Sequence, residues 1–134
     1  MTILAVDDSA LRLHDIVRLL HDIFPDDTVI AESDALAAGK FGFNHSVDVI
    51  FAAAEMPRLD GCKLMEFIRH TNPDAMAFLL LESDGALYCG PWTEEADGLL
   101  YFPITTTKLQ DALKKAQEKR AANSTKEPST FQSL

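Results

Sequence analysis

Short apolar runs alternate with longer amphipathic stretches along the chain. Ile3–Val6 is an apolar run of strand length, stopped by Asp7-Asp8. Ser9 can cap the helix that follows, where Leu13, Ile16, Val17, Leu20 and Ile23 or Phe24 recur at helical spacing. Pro25-Asp26-Asp27 is a turn, and Thr28–Ala31 is a second short strand. Ser33 or Asp34 can cap a weaker helix through Phe43, with Gly39 and Gly42 reducing its propensity. Val47–Ala54 is the strongest strand, apolar on both faces, and so belongs in the middle of a covered parallel sheet. Pro57–Gly61 is a loop, and a helix carrying Leu64, Met65, Phe67 and Ile68 ends near Asn72-Pro73. Ala75–Leu81 and Gly98–Phe102 complete the strands, the latter closed by Pro103. Thr105 or Thr106 can cap a last helix with Leu109, Ala112, Leu113 and Ala116 on one face.

This alternation predicts an α/β fold: one doubly wound, parallel, five-stranded sheet flanked by about five helices. Ligands of such sheets bind beyond the carboxyl ends of the strands. Asp7-Asp8, Ala53–Glu55, Leu81–Ser83 and Phe102 all fall there and should converge on one crevice. Between the last two strands, Gly85, Gly90 and Pro91 predict a short or distorted helix near Gly85–Cys89 and a turn from Thr93. Trp92 beside that break is either half-buried packing or an exposed partner anchor. The domain is expected to span 1–120. Residues 121–134 are polar without a helical stripe and read as a tail or the start of an interdomain linker.

At 134 residues the chain is one domain, long enough to build a core without staples. Cys62 and Cys89 are too few for a disulfide scaffold and read as small apolar residues in a reducing cytosol. The N-terminus lacks a signal-peptide pattern, and no apolar run reaches a membrane span, so the expected location is cytoplasmic. The net charge of −9 argues against a free-standing nucleic-acid binder. Residues 1–107 hold six basic and 18 acidic side chains, a balance of −12, whereas the remainder is mildly basic. His14, His21, His45 and His70 have no ligand-type spacing and read as surface residues. No Ser-His-Asp or Cys-His arrangement and no Gly-rich phosphate loop is visible, so no enzyme is expected.

Two motifs carry more information. One is the acidic pair directly after the first strand, Val6-Asp7-Asp8-Ser9. The other is Asp48-Val49-Ile50-Phe51 followed by Glu55-Met56-Pro57-Arg58-Leu59-Asp60-Gly61. With Phe102-Pro103 after the fifth strand, they resemble the receiver domain of bacterial response regulators, the chemotaxis-type fold, over about 1–120. The resemblance implies strand order 2-1-3-4-5. It also implies that the acidic pair and an Asp ending the third strand hold Mg²⁺, a hard ion suited to clustered oxygen donors. In that family the third-strand Asp takes a phosphoryl group from a histidine kinase. A fifth-strand Lys neutralises the product, a fourth-strand Thr or Ser hydrogen-bonds it, and an aromatic residue reorients with that hydroxyl.

The residues at those positions depart from the pattern. Counting back from Met56, the phosphoacceptor position is Ala53, whose methyl group accepts no phosphoryl group. The lysine position is Phe102 and the switch aromatic is Leu99. The hydroxyl position falls within Leu81-Glu82-Ser83. The resemblance leaves Asp7, Asp8 and the Glu55 carbonyl as a weak or vacant metal site. No cofactor is then required, with a weakly bound Mg²⁺ as the exception. Phe102 reads as an apolar plug.

The reading is a pseudo-receiver acting as a phosphorylation-independent interaction module in two-component signalling. Its partner, a protein or a second copy, would use the face of the fourth helix, fifth strand and fifth helix. A DNA-binding domain could follow in a longer transcriptional regulator. Two alternatives stay open: a conventional Mg²⁺-dependent phosphoacceptor receiver with Ala53 introduced artificially, and a small-ligand sensor using the same crevice.

Overall fold

A computed structural model describes the backbone of residues 1–82 and 95–132 and the side chains of 1–82 and 95–122. The elements run β1 (Thr2–Val6), α1 (Ala10–Ile23), β2 (Thr28–Glu32), α2 (Ala35–Asn44) and β3 (Val49–Ala53). They continue with α3 (Gly61–Thr71), β4 (Met76–Leu81), β5 (Gly98–Tyr101) and α4 (Thr106–Gln132). The five strands are parallel in the order β2-β1-β3-β4-β5, as expected. The helix expected near Gly85–Cys89, the turn from Thr93, and Trp92 lie outside the described residues, so the last helix is labelled α4.

Alternation along each strand divides the core into two layers. Leu4, Val6, Ile50, Ala52, Leu79 and Leu81 face α2 and α3. Ile3, Ala5, Val49, Phe51, Phe78, Leu80 and Leu100 face α1 and α4. Phe51 and Phe78 stack across β3 and β4 with ring centroids 5.0 Å apart. The apolar stripes foreseen on the outer helices are the buried ones: Leu13, Ile16 and Leu20 on α1, and Leu109, Leu113 and Ala116 on α4. Ser9 caps α1, Asp34 caps α2 and Asp60 caps α3, each side chain accepting a backbone N–H of the first turn. Thr105 Oγ1 accepts the Lys108 N–H at the start of α4.

α4 differs from the sequence expectation. It stays helical to Gln132, where a polar tail without regular structure was expected beyond residue 120. Extending a helix already nucleated by a packed stripe costs far less than starting one, so an apolar stripe is not needed at every turn. Cys62 differs too: buried at the start of α3, it is disulfide-bonded. That corrects the reading of Cys62 as a reduced apolar residue. Cys89, the other cysteine of the sequence, lies outside the described residues.

At the amino ends of the strands, Asp97 ties β5, α3 and α4 together. Its Oδ2 accepts from Arg69 Nη2 at 2.6 Å and from the Ala77 N–H at 2.8 Å. Its Oδ1 accepts from Arg120 Nε at 2.9 Å. Burial alone would raise the Asp97 carboxyl. The Arg120 and Ala77 hydrogen bonds and the charges of both arginines outweigh it, so its pKa is lowered. A carboxyl depressed in the folded state contributes stability that is complete above its ordinary value near 3.8. That contribution is lost as pH falls through the lower, folded value. Asp97→Asn is therefore expected to cost about 2 kcal/mol at neutral pH. The gap to the parent should close in acid, as read by urea unfolding at several pH values.

Candidate functional site

The carboxyl ends of β1, β3 and β4 open into a cleft of about 550 Å³, lined by Asp8, Arg12, Ala53, Glu55, Leu81, Glu82 and Phe102 among others. The segments that the sequence places at the strand ends therefore do converge. Ser83, the last candidate for the hydroxyl position, lies outside the described residues.

β1 ends on Val6 and delivers Asp7 into the interior, where it is fully buried. The Asp7 N–H extends the ladder to the Glu32 carbonyl at 3.2 Å, which fixes where its side chain leaves the backbone. A buried carboxylate needs a matched partner. The first turn of α1 supplies it: Arg12 Nε donates to Asp7 Oδ2 and Arg12 Nη2 to Asp7 Oδ1, both at 3.0 Å. This is the two-pronged geometry a guanidinium makes with a carboxylate. The Ser9 N–H adds a third bond to Oδ1 at 2.9 Å.

The third nitrogen of the same fork, Arg12 Nη1, donates to Glu82 at the end of β4. Asp8 Oδ1 lies 3.9 Å from Nη2, and the guanidinium carbon sits 4.7 Å above the centre of the Phe102 ring. One cation thus joins β1, β4 and the turn after β5. Hydrogen bonding to Asp7 is the leading cause that raises the Arg12 pKa. Desolvation opposes it, and the charges of Asp7, Glu82 and Asp8 reinforce it.

Of the positions named by the sequence, Ala53, Glu55, Leu81, Glu82 and Phe102 line the same cleft as this cation. Ala53 closes β3 with its methyl group buried in the floor, and the next residue's N–H bonds to the Leu80 carbonyl at 2.9 Å. Leu81 is buried against the α2–α3 layer, where Leu99 also packs, partly buried. Phe102 is half-buried at the rim, against the α1–α4 layer. Its peptide bond to Pro103 is cis. Glu55 is exposed, and the turn behind it closes through a Gly61 N–H bond to the Ala54 carbonyl at 3.0 Å. Gly61 is required there, because a Cβ would overlap the Ala53 carbonyl oxygen.

The acidic pair, with the Glu55 carbonyl, reads from the sequence as a weak or vacant metal site. Both Asp7 oxygens are occupied by hydrogen-bond donors, and Ala53 supplies no third carboxylate. Among the described residues no three His, Cys, Asp or Glu side chains group as metal ligands. The donor set fits a guanidinium and does not fit Mg²⁺, which keeps near-octahedral oxygen coordination. Arg12 is the residue that sequence reasoning missed. Its signal was a basic side chain four residues after Asp8, on the first turn of the following helix.

No family model and no curated protein sequence matches the chain. Solved structures do. The signal receiver domain of an HD domain-containing protein from Pseudomonas fluorescens is 27% identical with a TM-score of 0.75, over 90% of this chain and 97% of that one. The chain has the fold of a response-regulator receiver domain. Two further receivers agree. One, from Clostridium thermocellum, is 25% identical with a TM-score of 0.74, over 90% of this chain and 97% of that one. The receiver of the response regulator AraT from Geobacillus stearothermophilus is 25% identical with a TM-score of 0.76, over 92% and 97%. Within this receiver fold, the cleft is the one built from the carboxyl ends of the strands, and Arg12 is part of its lining. Among the described residues no helix is long and apolar enough to cross a membrane.

Proposed function

We propose that this receiver-fold domain is a phosphorylation-independent signalling module that works by protein contact and not by catalysis. The observation that carries this reading is Arg12, held between Asp7 and Glu82 above Phe102. Receiver switching needs a nucleophilic carboxylate, a cation that screens the incoming phosphoryl group, and a hydroxyl and an aromatic that move together. Here the nucleophile position is a methyl, the lysine position a phenyl ring, and the aromatic position Leu99. Among the described residues, the single cation in the cleft is already committed to two carboxylates. Asp8, Glu55, Asp60 and Glu82 line the same cleft, so a phosphoryl dianion entering it meets net negative charge. The fixed ion pair holds one arrangement of the β1, β4 and β5 ends, which suits a constitutive binding surface.

The Pseudomonas neighbour is named as one domain of a larger protein, and we extend that organisation to this chain, with an output domain beyond α4. The partner, a protein or a second copy, would meet the edge formed by β5 and α4. Tyr101, Lys108 and Ala112 line a groove of about 410 Å³ on that edge.

The test is exposure of the unaltered protein to acetyl phosphate and Mg²⁺, read by intact mass. The expected spectrum holds the unmodified mass alone. An acid-stable, base-labile phosphoryl adduct on any cleft side chain would overturn the reading.

A further inference from the structure

α2 and α3 lie side by side, and among the described residues their outer faces carry the large exposed apolar side chains outside α1 and the N-terminus. Phe43 is 67% exposed, Leu36 50% and Phe67 40%. Leu36 and Phe43 stand seven residues apart and so project from the same side of α2. Between them Gly39 leaves a notch. A Cβ at Gly39 would come within 3.4 Å of the Phe67 ring, which therefore reaches across from α3 into that notch. The three side chains stand exposed on the outer faces of the packed α2–α3 pair. Exposed apolar surface marks interaction sites where it is contiguous and rimmed by polar residues.

The charges around these side chains select a partner. Residues 1–107 carry six basic side chains, of which Arg12, Arg58 and Arg69 are engaged by carboxylates. Lys40, beside Gly39, and Lys63, one turn before Phe67, flank these side chains and are exposed. Neither has an ion-pair partner among the described residues. Glu66 is the one acid on that face of α3. Two free lysines thus frame apolar anchors on an otherwise acidic body. Two copies meeting through this face would oppose lysine to lysine. A chain with acidic flanks would be attracted locally, and its repulsion from the rest of the body is screened beyond roughly 8 Å at physiological salt.

We propose that the α2–α3 face is the docking surface for an acidic amphipathic helix of a partner protein. Apolar residues at helical spacing seat between Leu36, Phe43 and Phe67 while flanking carboxylates pair with Lys40 and Lys63. The proposal is independent of the phosphate reading, because binding here needs neither phosphodonor nor metal. It is tested with two synthetic helical peptides of about 15 residues. Both carry leucines at i, i+3, i+4 and i+7, one flanked by glutamates and the other by lysines. Binding is followed by fluorescence anisotropy and by amide shifts in the full chain. The Glu-flanked peptide should bind and shift the amides of 36–43 and 63–70. Lys40→Glu/Lys63→Glu should weaken it about tenfold and favour the Lys-flanked peptide. Phe43→Ser should weaken both. All variants sit at exposed positions, and their amide spectra report whether the fold is kept. Equal binding of the two peptides, shifts confined to other elements, or no binding of the Glu-flanked peptide would overturn the proposal.

Discussion

Arg12→Ala is expected to destabilise the fold by about 3 kcal/mol, a large fraction of what a domain of this size holds. The reason lies in Asp7, which has no exposed surface and depends on Arg12 for two of its three hydrogen bonds. Removing the guanidinium leaves a charge inside the protein with one backbone donor, and removes the tie from β1 to Glu82. The double variant Asp7→Ala/Arg12→Ala should lose less than the sum of the two single changes, because the second removal deletes the orphaned charge. Urea unfolding of the four proteins of this cycle measures both quantities. A single-variant loss below about 1 kcal/mol would mean that the pair behaves as an ordinary surface contact.

The second large effect concerns metal. Restoring a carboxylate with Ala53→Asp should leave Mg²⁺ binding weak, because Asp7 is still held by Arg12. Adding Arg12→Ala frees Asp7 and should tighten Mg²⁺ binding at least about tenfold relative to Ala53→Asp alone. Each step appears as Mg²⁺-dependent thermal stabilisation, since an ion bound to the folded state alone raises stability by mass action. The parent protein should show no saturable stabilisation. If Ala53→Asp binds Mg²⁺ as tightly as the double variant, the guanidinium is no competitor and the cleft is simply short of one acid.

Much of this was legible in the sequence because the signals were strong and local. Val49–Ala53 has no charge, so it had to be central in the sheet. The acidic pair and the Met56-Pro57 turn then fixed which strand ends meet. Counting singled out Ala53, Leu99 and Phe102, and left the hydroxyl position among Leu81, Glu82 and Ser83. Arg12 did not follow, since a basic residue between Leu11 and Leu13 looks like the solvent side of an amphipathic helix. Only the depth of Asp7 reveals that the side chain turns inward. The Cys62 disulfide was equally hidden, because pairing depends on neighbours in space. The helical course of 121–132 was missed because those residues take their conformation from the packed turns before them.

The most direct test of the central claim is the Arg12 side chain itself, observed by nitrogen-15 NMR while Mg²⁺ and beryllofluoride, a phosphoryl mimic, are added. A resolved, slowly exchanging Arg12 Nε–H that is unmoved by either addition is the predicted result. An Arg12 signal that averages with solvent, or that shifts saturably as the ions bind, would contradict it.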